Sequence, residues 1–262
     1  MLTIRSLHAS LGRTAVLHGI TASAAPGRIV AVIGPNGSGK TTLLRAISGD
    51  VAYDGRIALD GADLADLKPW ELAARRGVLP QAATLAFPFT VAEVVRLGLT
   101  SGTQADRSDL IGRALAEVDL TGFSGRYYQE LSGGQQARVQ LARVRAQVWE
   151  PVVAGRPRWL FLDEPVAALD IAHQIGVMRV LRRFADAGGG VVIVLHDLNL
   201  AAMVADDVWL IHDGLLLDAG SPARVIGGSA LAEAYGCPIV ANRLPGPQAT
   251  FVLPHGLWAA AG

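Results

Sequence analysis

Gly34-Pro35-Asn36-Gly37-Ser38-Gly39-Lys40-Thr41-Thr42, read together with the apolar run 27–33 before it, is the stretch that decides the fold. It fits the phosphate-loop pattern G-x-x-x-x-G-K-[ST], and it stands in the context that pattern requires, after a buried strand and at the opening of a helix. Glycines let the main chain wrap tightly enough for successive N–H groups to point at phosphate oxygens, and the helix that follows presents the positive end of its dipole. Lys40 is then placed to neutralise β- and γ-phosphate charge, the Thr41 hydroxyl to ligate Mg²⁺, and Thr42 to extend the cradle. The competing reading is a glycine-rich strand-to-helix turn with no ligand.

Outward from the loop, residues 2–9 alternate apolar and polar side chains, so the start of the chain reads as strands. Helical spacing over 41–48 is stopped by Gly49, and 55–61 is a short β pattern between glycines. Residues 70–76 predict a helix leading to a strand that ends near Gln81. Between 91 and 118, Leu, Ala and Val recur at helical intervals around a polar stretch at 101–109, which predicts a small helical insert. Helical periodicity from Gln135 to about Trp149 is followed by strands at 159–162 and 191–195 with a helix at 173–187 between them, which is a parallel βαβ unit. Asp213-Gly214 between two apolar runs, 208–217, predicts a hairpin. The fold class is α/β: a mixed β portion, a parallel-sheet core around the phosphate loop, and a small helical insert.

Trp159-Leu160-Phe161-Leu162-Asp163-Glu164 places two acids just after a buried strand, where the carboxyl end of a parallel sheet meets its ligand. Asp163 suits Mg²⁺ coordination. Glu164 suits a place beside the γ-phosphate, orienting or deprotonating the attacking water. An acid that merely caps a strand end is the alternative for either.

At 131–135 the chain spells Leu131-Ser132-Gly133-Gly134-Gln135. With the phosphate loop and Asp163-Glu164, in that order, this sequence resembles the ATP-binding cassette family of P-loop ATPases. The resemblance covers residues 2 to about 226. It implies one cassette domain over 1–262, with a helical subdomain at roughly 88–150 and a weakly patterned tail at roughly 227–262. It implies ATP and Mg²⁺ as ligands, with Gln81 sensing the metal or the water, Asp170 in the segment after the acidic pair, and His196 contacting the γ-phosphate. Ser132 and the glycine amides that open the Gln135 helix form a second anion-seeking site. In the family that site faces the phosphate loop of another copy in a head-to-tail homodimer. The resemblance further implies two transmembrane permease subunits, a periplasmic substrate-binding protein acting through them, and a place at the cytoplasmic face of a bacterial inner membrane.

Two stretches depart from the general family pattern. Leu11 stands before Gly12 where the family usually carries an aromatic residue that stacks on adenine, which leaves the base to apolar contact or to another residue. Residues 148–158 (VWEPVVAGRPR) lengthen the segment between the signature and the acidic pair. Together with LAFPFTVAEVV at 85–95 and VLHDLNLAA at 194–202, that insert resembles the ATPase subunits of hemin importers. Siderophore or cobalamin import is the nearest alternative. Phe87, Pro88 and Phe89 read either as core of the helical insert or as a surface that docks the permease.

Composition limits the classes. Lys plus Arg (23) equal Asp plus Glu (23), and no basic block stands out, so the electrostatic footprint of a nucleic-acid machine is missing. That lowers the rival reading, a soluble cassette ATPase acting on nucleic acid or ribosomes. Hydrophobic residues reach 51%, yet apolar runs such as 191–195 are far short of the roughly 20 residues that span a bilayer. A lone Cys237 excludes an internal disulfide, and the N-terminal MLTIRSLHAS has no signal-peptide pattern, so a reducing cytoplasm is expected. Cys237 reads as a small buried hydrophobe, and His173 and His212 read as structural.

Overall fold

The computed structural model of the chain describes residues 1–81, 85, 87–243, 246, 248–255 and 258. In chain order it runs β1 (Leu2–Leu11), β2 (Thr14–Ala24), β3 (Ile29–Ile33), α1 (Lys40–Ile47), β4 (Asp54–Leu59), β5 (Ala62–Asp63), α2 (Pro69–Arg75), β6 (Arg76–Leu79), α3 (Val91–Ser101), α4 (Asp109–Glu117) and α5 (Gly133–Gln147). It continues through β7 (Val152–Val153), β8 (Arg156–Pro157), β9 (Trp159–Asp163), α6 (Ile171–Asp186), β10 (Gly190–Val194), α7 (Leu198–Val204), β11 (Asp207–His212), β12 (Leu215–Gly220), α8 (Pro222–Ile226) and α9 (Ser229–Tyr235).

The central sheet has the order β12-β11-β3-β10-β9-β6, parallel throughout except for the antiparallel β11–β12 edge. All five residues of β3, of β9 and of β10 are buried, as continuous apolar runs in a doubly covered parallel sheet should be. Their alternation divides the core in two. Ile29, Ala31 and Ile33, with Leu160, Leu162, Val191 and Ile193, face a layer that includes α3, α5 and α6. Val30, Val32, Trp159, Phe161, Val192 and Val194 face α1 and a second, antiparallel sheet of order β2-β1-β4-β5. Burying each large apolar side chain among them contributes about 1.5–3 kcal/mol, so the strand ends that carry the phosphate loop and the two acids extend from a well-buried core.

The βαβ unit reads as expected, with β9 and β10 adjacent and parallel on either side of α6 in the chain. The Asp213-Gly214 hairpin forms as β11–β12, both turn residues having positive φ (45° and 73°). A second turn of the same kind lies in the 148–158 insert, where Ala154 (φ 49°) and Gly155 (φ 73°) join β7 to β8. This small hairpin is tied back by Glu150, whose carboxylate accepts from Gln104 Nε2 at 2.7 Å and pairs with Arg107 and Arg158 at 3.8 Å each. The tail, which carries no clear pattern in sequence, forms α9, whose Leu231 and Ala234 join the helical-side core together with Val225 of the preceding α8, whereas Cys237, expected to be buried, is exposed just past the end of α9. Among the described residues no helix is long and apolar enough to cross a membrane.

Candidate functional site

The phosphate loop leaves β3 with three glycines at positive φ, Gly34 (146°), Gly37 (79°) and Gly39 (105°), a path that residues with a Cβ adopt only under strain. Space adds a second constraint. A Cβ on Gly34 would lie 2.0 Å from the Ile211 carbonyl oxygen, and one on Gly39 would meet Leu17 Cδ2 at 2.9 Å. Gly39 caps α1 without a side-chain hydrogen bond and the first turn holds no acid, so the amides that open this helix are left for an anion.

Lys40 folds back over the loop, donating to the Gly34 and Pro35 carbonyls at 2.9 and 2.8 Å. Burial pushes its ammonium below the usual lysine range, while the Glu164 and Asp163 carboxylates pull it back up. At the end of β9, Asp163 is buried, and burial pushes its carboxyl above the usual range against the pull of the Thr41 hydroxyl. Its Oδ1 is buried with no hydrogen-bond partner. Glu164 follows at φ 50°, outside the conformations a strand or helix would give it. That turn aims its carboxylate across the sheet edge to His196, on the loop after β10, with Oε1 at 2.5 Å from Nε2.

Lys40, Glu164 and His196 face one cleft of about 560 Å³, lined also by Leu11, Val16, Asn36, Gly37, Gly39, Thr41, Thr42 and Gln81. On the far side of Gln81 and Glu164, a recess of about 320 Å³ is bounded by Asp163, Tyr128, Gly133, Gln136 and Gln140. The signature lies outside the cleft. Ser132 caps α5, its hydroxyl accepting from Gln135 N at 3.3 Å while Gln135 Oε1 accepts from Ser132 N at 3.0 Å. Ser132 and Gly133 are exposed, Leu131 is buried beneath them, and Gly134 and Gln135 are half-buried. Asp170 is likewise not among the cleft's lining residues; it caps α6 and holds His173 Nδ1 at 2.8 Å. Phe87 is exposed and Phe89 packs against the core. Ala86, within the same stretch, lies outside the described residues.

Three contributors are silent in the sequence. Val16 lines the cleft from the start of β2, a position with no motif to mark it. Gly214, at the tip of the β11–β12 hairpin, bridges the loop to β2: its N–H donates to Ser38 O and its carbonyl accepts from His18 N, both at 2.9 Å. Tyr235 of α9 reaches the back of Gly34. Burial pushes its phenol up while the Gly34 amide pulls it down.

The ABC transporter family pattern matches residues 17–167. The hemin import ATP-binding protein HmuV of Jannaschia sp. (strain CCS1) is 60% identical over 255 residues, covering 97% of this chain and 94% of that protein. The protein of the same name from Roseobacter denitrificans is 58% identical, covering 94% of each. Among solved structures, the ATP-binding subunit of an ABC transporter superposes with a TM-score of 0.77 at 24% identity, over 90% of this chain and 98% of that one. A dimeric ATP-binding cassette in a post-hydrolysis state with ADP and phosphate gives 0.73 at 25%, over 85% and 99%.

Proposed function

The chain belongs to the ABC transporter family as an ATP-hydrolysing, ATP-binding cassette, and from that premise we propose that it energises hemin uptake across a bacterial inner membrane. The observation that supports hemin over other cargo is the 60% identity to a hemin import ATPase along 97% of the chain, a span that takes in the 148–158 insert. Two copies would act together with two transmembrane permease subunits fed by a periplasmic binding protein, and this chain would sit at the cytoplasmic membrane face as a peripheral subunit.

The triphosphate lies along Gly34 to Thr42, and Lys40 exchanges its two carbonyl partners for β- and γ-phosphate oxygens. That exchange replaces neutral acceptors with charged ones and adds direct attraction between opposite charges. Asp163, with an unpartnered buried Oδ1, and the neighbouring Thr41 hydroxyl are oxygen donors that fit a hard divalent cation, with Gln81 as a third. Mg²⁺ held there would supply charge neutralisation on the phosphates. Glu164 orients the attacking water, and His196 steadies that carboxylate from one side while contacting the γ-phosphate from the other. The exposed Ser132-Gly133 helix end reaches no phosphate in its own chain. A second copy turned head to tail brings it over this cleft, so that two ATP molecules close the dimer. The permease docks beside Gln81, on the surface that carries exposed Phe87, and closure moves it.

The test is the complex purified with its permease in lipid vesicles. ATP turnover should rise with hemin-loaded binding protein and remain at its basal rate with a siderophore-loaded or cobalamin-loaded one. Stimulation by a siderophore carrier alone would reassign the cargo and leave the ATPase intact.

A further inference from the structure

Away from the ATP cleft, a cavity of about 620 Å³ lies between the start of α7, the end of α8 and the chain that follows α9. Ordinary ligand cavities span roughly 300–1,000 Å³. Leu198, Ile226, Ile239 and Phe251 are among its walls, and Val240, Phe251 and Leu253 on its lining leave 59%, 49% and 45% of their surface uncovered. Apolar surface gathered around one hollow in this way is stabilised by whatever covers it.

The polar side chains of the lining are few: Arg243, His255, Asn199 and Asn242, with no aspartate or glutamate among the described lining residues. Such a wall attracts an anion and repels none. His255 adds a ligand for a metal. One imidazole is too little for a free ion, and the described residues hold no cluster of three or more His, Cys, Asp or Glu fit for one. It is enough for an iron whose equatorial positions a porphyrin already fills. Hemin joins all three features: a flat apolar macrocycle, two propionates, and an iron with an open axial position.

We propose that this cavity binds hemin on the cytoplasmic side, with the macrocycle on the apolar wall, a propionate on Arg243 and the iron on His255, and that hemin bound there slows ATP hydrolysis. This rests on the reading of hemin as the cargo. The route to the ATP site is short. Leu198 and Asn199, on the cavity lining, open α7, and Asp197 caps that turn, its carboxylate accepting from Asn199 N at 2.7 Å and Leu200 N at 3.1 Å. Asp197 directly follows His196, whose ring meets the Glu164 carboxylate. A ligand wedged against Leu198 and Asn199 shifts the cap, and the His196–Glu164 contact shifts with it. Cargo that accumulates after import thereby restrains further import.

The experiment titrates the full chain with hemin and with iron-free protoporphyrin, following the Soret band. Cys237, exposed and two residues before Ile239 of the wall, is the rival iron ligand, so Cys237→Ser is the control. The parent and Cys237→Ser should each take up one hemin with a Soret shift. His255→Ala should lose the shift and weaken hemin about tenfold, and Arg243→Glu should weaken both porphyrins about tenfold. All three substituted side chains are exposed, so the variants should keep the parent's melting temperature and its hemin-free turnover. ATP turnover is read on the permease complex in lipid vesicles, without binding protein, with hemin added to the ATPase side. At a concentration that just fills the parent, turnover should fall severalfold in the parent and little in His255→Ala or Arg243→Glu.

A parent that binds hemin no better than those two variants would overturn the site, as would a Soret shift lost in Cys237→Ser and kept in His255→Ala. A dimer of the parent in sedimentation that hemin leaves intact, and that Leu253→Asp dissociates, would give this face to a second copy instead. Hemin held by His255 with turnover unchanged would remove the inhibitory route. Turnover that rises with hemin-loaded binding protein while the free chain takes up no hemin would end this proposal and leave the cargo reading standing; stimulation by a siderophore carrier alone is the separate failure of that reading.

Discussion

Gly214→Ala tests how the phosphate loop is held. Gly214 sits at φ 73° in an Asp-Gly hairpin turn, and an added Cβ would lie 2.0 Å from Val16 O, 2.7 Å from His18 Cδ2 and 2.9 Å from Val16 C. Placing an L-residue in that region costs about 1–2 kcal/mol, reduced by up to about 1 because alanine also restricts the unfolded chain. Relieving the overlap costs a further 1–3 kcal/mol or so, since the nearest neighbour is the Val16 main chain, which cannot rotate away. Separation of the turn from β2 and the loop then weakens the bonds to His18 and Ser38, at about 1 kcal/mol each. The sum is about 4 kcal/mol, or close to 8 °C in melting temperature for a chain of this size. Gly61→Ala is the matched control: it also follows an aspartate in a positive-φ turn, Asp60 at 52° and Gly61 at 83°, but has nothing within 4 Å of the added Cβ. It should cost only the backbone part, about 1 kcal/mol. Urea unfolding of both variants reads the difference, and ATP titration should show at least a tenfold loss for Gly214→Ala with none for Gly61→Ala. Variants that agree within about 1 kcal/mol would refute the idea that close packing, and not turn conformation alone, ties the hairpin to the loop.

Glu164→Gln should keep ATP affinity while slowing phosphate release by about 10²- to 10³-fold, measured in single-turnover assays; unchanged turnover would remove this carboxylate from the chemistry. Asp163→Asn should raise the melting temperature of the nucleotide-free protein near neutral pH. The Asp163 carboxyl is pushed up in the folded state, so it favours folding only while protonated, a contribution lost as pH rises through its folded value. The gain from the substitution should therefore shrink as pH falls toward the ordinary carboxylate range, and Mg·ATP should no longer shift the melting of this variant. Glu150→Ala strips the insert of the carboxylate that pairs with Arg107 and buried Arg158. With Glu150 itself part-exposed, a loss of about 1–2 kcal/mol by denaturation is expected, with ATP affinity unaltered.

Much of the fold was legible because its signals are local. The phosphate loop sits between β3 and α1, the alternating and continuous apolar runs mark the strands, and Asp213-Gly214 marks a hairpin, all within windows of a few residues. The order of the sheet, β3 between β11 and β10, depends on contacts between segments as much as about 180 residues apart, and no window of sequence holds them. The tail lacked a pattern for a related reason. Its helix α9 is short, like α8 just before it, and both hold their shape by packing on the core more than by periodicity of their own.

By itself, then, the sequence determined which side chains carry chemistry and what kind: glycines with a lysine for phosphate, paired acids after a buried strand, a capping serine with two glycines on a helix end. Only the tertiary structure decided where these stand. It aims Glu164 at His196 through a positive φ, leaves Asp163 Oδ1 buried and unpartnered, closes the cleft with Val16 and Leu11, and turns the Ser132 helix end outward. Residue type is written in the chain, but distance, burial and orientation arise only when remote segments meet, because each depends on what the other side supplies.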